Sequence, residues 1–450
     1  MRNAPYLRLA VTNMLRSRRS YIPYLIAASV MCAICSICAN LAMGSSISNM
    51  NYGATTRSML EFGLYIMVIF TTFYMFYINS FLIKRRAREF GLYGVLGFGR
   101  SQTARVVFWE GVILCLISIG LGLLVGFLLG GAVFKLLITL THLAPDSRYT
   151  VVPASMYFTV IMFGAIFLLN TIYNMFRVWK SRPLELMKSE KSGEKKAKAV
   201  APRAIIGLLL LGGAYWLSLS AADSAFALLL FWPAVLMVIL ATHQLFLGGS
   251  VAILGLMKRS KRFYYNKKNF VPIGGLIYRM KQNASGLANI CILSTMVLVT
   301  VAMTLALYFG GENAGNMEDF YALFGGILFM GFFFAILFLT NMTLIIYFKQ
   351  VSEGTDDREN FALLRRVGMD EKMVKKTINK QVLIVFFAPL VVALAHTCAS
   401  SGMLNQILGA FVYCNPKYLW ACIGGTAAVF AVVYCVVYKL TSHAYYTAAK

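Results

Sequence analysis

The sequence predicts an all-α polytopic membrane protein. Ten transmembrane helices form two parallel four-helix repeats plus an inserted helix pair, with both termini cytoplasmic. Three observations lead there. Of 450 residues, 59% are hydrophobic and only 13% charged, about half the charged share of an ordinary soluble domain, and mean hydropathy is +0.70. The apolar residues gather in runs of roughly 20, the length that crosses a hydrocarbon core as helix. Between those runs, two polar stretches match each other, KRRAREFGLYGVLGFGR (Lys84 to Arg100) and DRENFALLRRVGMDE (Asp357 to Glu371). At an offset of about 271 positions, Phe90 falls on Phe361, Leu92 on Leu363 and Gly97 on Gly368, while Tyr93 meets Leu364 and Leu96 meets Val367.

The elements follow in order. Residues 1–20 read as an amphipathic helix on the inner leaflet, with Leu7, Val11 and Leu15 on one side and Arg8, Arg16 and Arg19 elsewhere. Spans at 21–43, 59–83, 106–139 and 154–178 build a first half over 21–180, with a short amphipathic coupling helix near 84–104. A charged linker covers 181–203. Spans at 204–220 and 225–247 form the inserted pair, joined by the turn AADSA (Ala221 to Ala225), and a basic connection occupies 248–286. Spans at 287–309, 321–348, 382–411 and 417–438 build the second half over 287–438, with a coupling segment near 349–380 and a cytoplasmic tail at 439–450. Because both matched segments lie on one side, the repeat is parallel, unlike the inverted repeats of many ion-coupled transporters.

The net charge of +25 would suggest nucleic acid in a soluble protein, but its distribution follows topology instead. Cations crowd the N-terminus and the segments around Lys84 to Arg105, Arg177 to Arg203, Lys258 to Lys281 and Lys349 to Lys380. The opposite loops hold only Arg57, Arg148 and Lys417, with Lys135 near a helix end where its stem can snorkel. This puts both termini inside and makes nucleic acid an unexpected partner. Anionic headgroups fit better. Lys258, Arg259, Lys261 and Arg262, followed by Phe263, Tyr264 and Tyr265, are candidate lipid contacts, with a plain positive-inside anchor as the alternative. Of nine cysteines, eight fall inside the spans, which argues against a disulfide framework. Cys32, Cys35 and Cys38 share a helical face and suit close packing better than a metal. The apolar run after Arg19 is long enough for an anchor and too long for a signal peptide.

Motifs for catalysis are missing: the sequence contains no GxxxxGK[ST], HExxH or GxSxG, and the four histidines stand apart. Glu61 and Glu110 are the carboxylates nearest the spans and read as interfacial or structural, with a proton relay as the alternative. The chain therefore reads as non-catalytic, with no metal site, and any ATP-driven work must come from another polypeptide. The matched segments offer its landing surface. Leu92 and Leu96 are four apart and Phe90 and Tyr93 three apart, an apolar stripe suited to a groove. Gly91, Gly94, Gly97 and Gly99 permit close approach or a sharp exit. Phe361, Leu363, Leu364 and Val367 repeat the stripe beside Arg358, Arg365 and Arg366. The alternative is an interfacial helix lying on lipid.

KRRAREFGLYGVLGFGR resembles the basic-REFGLY-xxLG segment after the second span of FtsX-like ABC transporter permeases. SRPLELMKSEKSGEKK after span four and KQVSEGTDDRENFALLRRVGMDEKMVKKTINKQVLIVFFAPL (Lys349 to Leu390) are similar to the bacitracin-efflux-type subgroup, which resists peptide antibiotics. The resemblance implies a bacterial plasma-membrane permease working with two separate ATPase subunits, which supply ATP and Mg, and often with a membrane histidine kinase. It implies that ATPase closure moves the helices and frees antibiotic from lipid-linked cell-wall precursors. It further implies that Phe90, Leu92, Tyr93, Phe361, Leu363 and Leu364 dock into the ATPases. Arg86, Arg88, Glu89, Arg365 and Arg366 would flank that contact, with Gly97 and Gly368 at its ends.

The chain departs from the subgroup in one place. Relatives carry a large extracellular domain between spans seven and eight, where this sequence has only Gly310 to Phe320. It is either a compact variant or a chain from which the domain has been excised. Two other readings stand beside the permease: a signalling scaffold for a sensor kinase or cell-wall hydrolase, and a stand-alone ion-coupled transporter.

Overall fold

The computed structural model describes residues 4–44, 47, 53–142, 149–180, 200–220, 223–260, 270–310, 317–366, 371–411 and 416–449. Among them the chain is helical almost throughout and holds no strand. The order is α1 (Ala4–Arg16), α2 (Arg18–Met43), α3 (Gly53–Val95), α4 (Arg100–Thr141), α5 (Pro153–Lys180), α6 (Val200–Leu219), α7 (Ser224–Gln244), a π-helical turn (Leu245–Gly249), α8 (Ser250–Arg259), α9 (Phe270–Phe309), α10 (Met317–Arg366), α11 (Glu371–Phe411) and α12 (Pro416–Ala449). Ten of the described stretches are long and apolar enough to cross a bilayer, with α7, the π turn and α8 running on as one. They fall on the ten expected spans in order.

One expectation is corrected. No separate short helix forms near 84–104; α3 continues through Lys84 and Phe90 to Val95 as a single 43-residue helix. KRRAREFGLYGV contains no proline, Arg86 and Glu89 pair across one turn, and Gly91 and Gly94 weaken a helix without ending it, so propagation continues until the left-handed Gly97. Likewise α10 runs unbroken to Arg366. Under the offset that brings Phe90 onto Phe361, the ends of α3 and α10 coincide, and so do the starts of α4 and α11. The duplication read in sequence is a duplication of helix boundaries.

The chain divides into two compact units, Met1–Glu194 with Asn316–Leu344, and Lys195–Gly315 with Ile345–Lys450. In the first, α2 is packed against α4 through small residues. Ser118, Gly122, Gly126 and Gly130 recur every fourth position on α4 and are all buried. A Cβ on Gly122 would lie 2.5 Å from Cys32 Cβ, and one on Gly126 would lie 3.2 Å from Ser36 Oγ. Without a hydrophobic drive between helices in lipid, such backbone approach provides the van der Waals contact that holds them. The cysteines are thus packing residues: Cys35 Sγ is 3.6 Å from Thr71 Oγ1, and Cys38 Sγ 3.7 Å from Met330 Sδ. At the end of α2 far from α1, Asn40 clasps the start of α5 by donating to Thr150 O (3.1 Å) and accepting from Val152 N (2.8 Å) and Ser155 Oγ (3.1 Å). The first part of α10 joins α3 through Thr56 Oγ1, which donates to Ala322 O at 2.8 Å, and through stacked and edge contacts among Phe70, Tyr74, Phe334 and Phe338.

In the second unit the inserted pair α6 and α7 is fastened to α11. His396 meets Tyr215 OH at 2.6 Å and Thr242 Oγ1 at 3.0 Å through its two ring nitrogens, and Ala227, Ala234, Met403 and Ile407 close a small apolar core beside it. Asn283 on α9 donates to Glu353 on α10 at 2.6 Å.

The α2 to α4 contact makes a direct prediction. Gly122→Leu should cost about 1–3 kcal/mol through overpacking and lower the thermal midpoint in detergent. Gly120→Leu, on the opposite, exposed side of α4 with nothing within 4 Å of its would-be Cβ, should leave the midpoint unchanged. Equal melting of the two variants would refute the close-packing account.

Candidate functional site

The end of the first unit that carries the matched segment is organised around a buried charge. Arg86, near the end of α3's apolar run, is 2% exposed, and Glu110 on α4 is 3% exposed. Their guanidinium and carboxylate form a two-pronged pair: Arg86 Nη1 donates to Glu110 Oε2, and Nη2 to Oε1 at 2.9 Å. Parallel donation of this kind fixes direction as well as distance. The third arm of the guanidinium, Nε, donates to Glu89 Oε2 at 2.9 Å. The cation also lies over the Phe90 ring (4.7 Å) and the Tyr21 ring of α2 (5.3 Å).

Helix α1 is tied into the same cluster. Asn13 donates its Nδ2 to Glu110 Oε1 at 3.2 Å and accepts from Tyr93 OH at 2.9 Å, while Ser17 Oγ donates to Glu89 Oε1 at 3.0 Å. Burial raises the Tyr93 phenol above its usual range, so it remains a proton donor at neutral pH. Helices α1 to α4 thus converge on one pair of opposite charges. A cavity of about 20 Å³ adjoins it, lined by Tyr24, Asn79, Asn170 and Asn174 as well as by the pair. That is room for one water, beside an Asn170 Oδ1 with no protein partner.

The matched segment presents two faces. Phe90 is 3% exposed and packs with Ile83, Val107, Val178 and Met175, and Tyr93 lies against it. Leu92, Val95 and Leu96 point the other way and are 49%, 65% and 66% exposed. The segment then stops sharply. Gly97 takes φ +89°, its N–H reaches Gly94 O (3.3 Å), and Phe98 N–H reaches Tyr93 O (2.9 Å), with the Phe98 and Tyr93 rings 5.5 Å apart. This is a Schellman ending, in which the left-handed residue favours glycine. Nothing lies within 4 Å of its would-be Cβ, so conformation alone requires Gly97. The next helix starts with Gln102 Oε1 accepting from Gly99 N–H at 2.8 Å.

The structure therefore divides the expected set. Leu92 is on the outward face, Phe90 and Arg86 are internal supports, Tyr93 and Glu89 lie between, and Gly97 makes the turn. Phe361, Leu363, Leu364, Arg365 and Arg366 lie in the α10 backbone with side chains outside the described residues, as is that of Arg88; Gly368 lies outside them entirely. Lys258 and Arg259 are exposed at the end of α8, and Lys261 and Arg262 lie outside the described residues. Glu61 is surface-paired with Arg57 at 2.8 Å. Sequence reasoning missed Val95, whose spacing of three from Leu92 signals it, and the partnership of Arg86 with Glu110, which no local spacing signals.

A family model described as FtsX-like permease C-terminal matches residues 61–183 and 332–444. The two matches begin at the same offset as Phe90 and Phe361. The chain is 22% identical over 302 residues to the ABC transporter permease YvcS of Bacillus subtilis (strain 168), covering 67% of this chain and 47% of that protein. It is 24% identical over 320 residues to the bacitracin export permease protein BceB of the same organism, covering 69% and 50%. To BceB of Halalkalibacterium halodurans it is 23% identical over 317 residues, covering 68% and 49%. The chain spans about half the length of the curated relatives it matches.

Arg86→Met strands Glu110 as an uncompensated buried charge and should cost about 3–5 kcal/mol. Pairing it with Glu110→Leu removes both charges and should restore most of the thermal midpoint. A double variant that melts as low as the single one would show that the pair is not what holds α3 to α4.

Proposed function

The chain belongs to the FtsX-like permease family, and we propose that it is the permease subunit of an ABC transporter whose ATP hydrolysis takes place in separate subunits. The observation that carries this reading is the matched segment itself. A rigid helix end, fixed from within by Arg86 and Glu110, presents Leu92, Val95 and Leu96 outward at i, i+3 and i+4, and ends in a tight turn at Gly97. An apolar ridge on a helix end tied to its neighbours can fill a groove on a partner and receive force from it. The sequence repeats the pattern at Phe361 to Gly368, which supports a second contact and so two ATPase subunits that bind ATP and Mg.

On this reading the cation-rich side faces the cytoplasm, and the docked ATPases move α3 and α10 as levers through the membrane. The work is resistance to, or sensing of, peptide antibiotics at lipid-linked cell-wall precursors, in keeping with relatives named as bacitracin export permeases. A membrane histidine kinase is the further partner.

Co-expression with ABC ATPases of the same genome should recover a stoichiometric complex. Leu92→Glu with Leu96→Glu should weaken it by about tenfold or more, since a charge placed in an apolar groove loses its hydration without a partner. Both positions are exposed, so the thermal midpoint of the permease alone should hold. Undiminished association of the double variant would overturn the docking assignment.

A further inference from the structure

Helix α1 has two faces that belong to different surroundings. Toward the helices it packs with Ala10, fully buried, and with Asn13, whose side chain holds Glu110, and Ser17 at its junction with α2 holds Glu89. Away from them it shows Leu7, Val11 and Leu15 at i, i+4 and i+8, which are 39%, 42% and 55% exposed, with Arg8 and Arg16 exposed on the same helix and Arg18 exposed just beyond its end. Its near end is pinned as well: the Arg105 guanidinium of α4 lies 5.6 Å from the Tyr6 ring centroid. The sequence from Met1 to Leu60 contains no Asp or Glu.

We propose that α1 docks on the anionic phospholipid headgroups of the adjoining leaflet, and that the hydrogen bonds of Asn13 to Glu110 and of Ser17, at its junction with α2, to Glu89 make the position of the Leu92–Gly97 turn depend on that docking. The occupant follows from chemistry: an apolar stripe flanked by arginines and free of acids, next to spans long enough to cross a bilayer, matches acyl chains beneath negative headgroups, whereas a neutral protein groove would leave the arginines unmatched. The link to the turn is equally specific. Asn13 accepts from Tyr93, the residue whose carbonyl closes the Schellman turn. A shift of α1 therefore reaches the turn directly through Asn13 and Tyr93, and by way of Glu89 and Glu110 through the bonds of Ser17 and Asn13. The regulatory meaning of this lever rests on the coupling role proposed above; the lever itself does not.

The test uses the full chain in nanodiscs of phosphatidylcholine, alone or mixed with phosphatidylglycerol, with an environment-sensitive fluorescent amino acid in place of Val11 or Leu96. Anionic lipid should blue-shift emission at Val11, and Arg8→Gln, Arg16→Gln and Arg18→Gln together should abolish the shift. Emission at Leu96 should also respond to anionic lipid. That response should disappear in Asn13→Ala with Ser17→Ala, while the Val11 shift persists. Identical Val11 emission in the two lipids, a shift that survives loss of the arginines, or a Leu96 response that survives loss of Asn13 and Ser17 would each overturn the proposal. Both readouts use the permease alone, so they stand or fall separately from the ATPase assignment.

Discussion

The pairing of Arg86 with Glu110 is the constraint on which the end of the first unit depends. Neither charge has appreciable contact with solvent, so each needs the other together with further hydrogen bonds. Those needs bring four helices to one place. Glu110 draws Asn13 from α1, Arg86 draws Glu89 and the rings of Phe90 and Tyr21, and Glu89 draws Ser17. The geometry of an ion pair thereby sets which side of α3 faces inward beyond its apolar run. It is this orientation that leaves Leu92, Val95 and Leu96 outside.

Rigidity and a sharp boundary then act together. A helix that frayed after Arg86 would give a partner nothing firm to push on, whereas α3 continues to Val95 and is closed by a glycine in the left-handed region. At the level of the bundle, firmness comes from close approach. Gly122 and Gly126 of α4 sit against Cys32 and Ser36 of α2, and interiors packed at such short range pass on displacement instead of absorbing it. In the second unit a different device serves the same end, with His396 bonded on both ring nitrogens to hold the inserted pair against α11.

Much of this was legible in the sequence. Runs of apolar residues determine the ten spans because a bilayer sets one length scale, and the repeat of Phe90, Leu92 and Gly97 at Phe361, Leu363 and Gly368 reveals the duplication. Gly97 is one of four glycines that read as permitting close approach or a sharp exit, and the structure places the exit at Gly97. The inward and outward faces were not separable, because Phe90 and Leu92 are both apolar and a one-dimensional stripe does not say which flank meets protein. Nor was the role of Arg86 legible among its neighbours. Lys84, Arg85, Arg86 and Arg88 read alike as positive-inside charge, and what distinguishes Arg86 is a carboxylate 24 residues later brought near only by the fold. The continuation of α3 through the segment was hidden by its four glycines, which suggest a break before the one at Gly97 that makes it.

The central claim is that the outward face of the Leu92–Gly97 segment is where a separate ATPase presses. Site-specific photo-crosslinking tests it most directly, with a photoreactive amino acid replacing either Leu96 or Leu128, which are 66% and 67% exposed but lie at the segment and in the middle of α4 respectively. In cells co-expressing the ATPase, the account predicts a permease–ATPase adduct from position 96 and none from 128. A complex that co-purifies intact yet gives no adduct from position 96, or equal adducts from both, would contradict it.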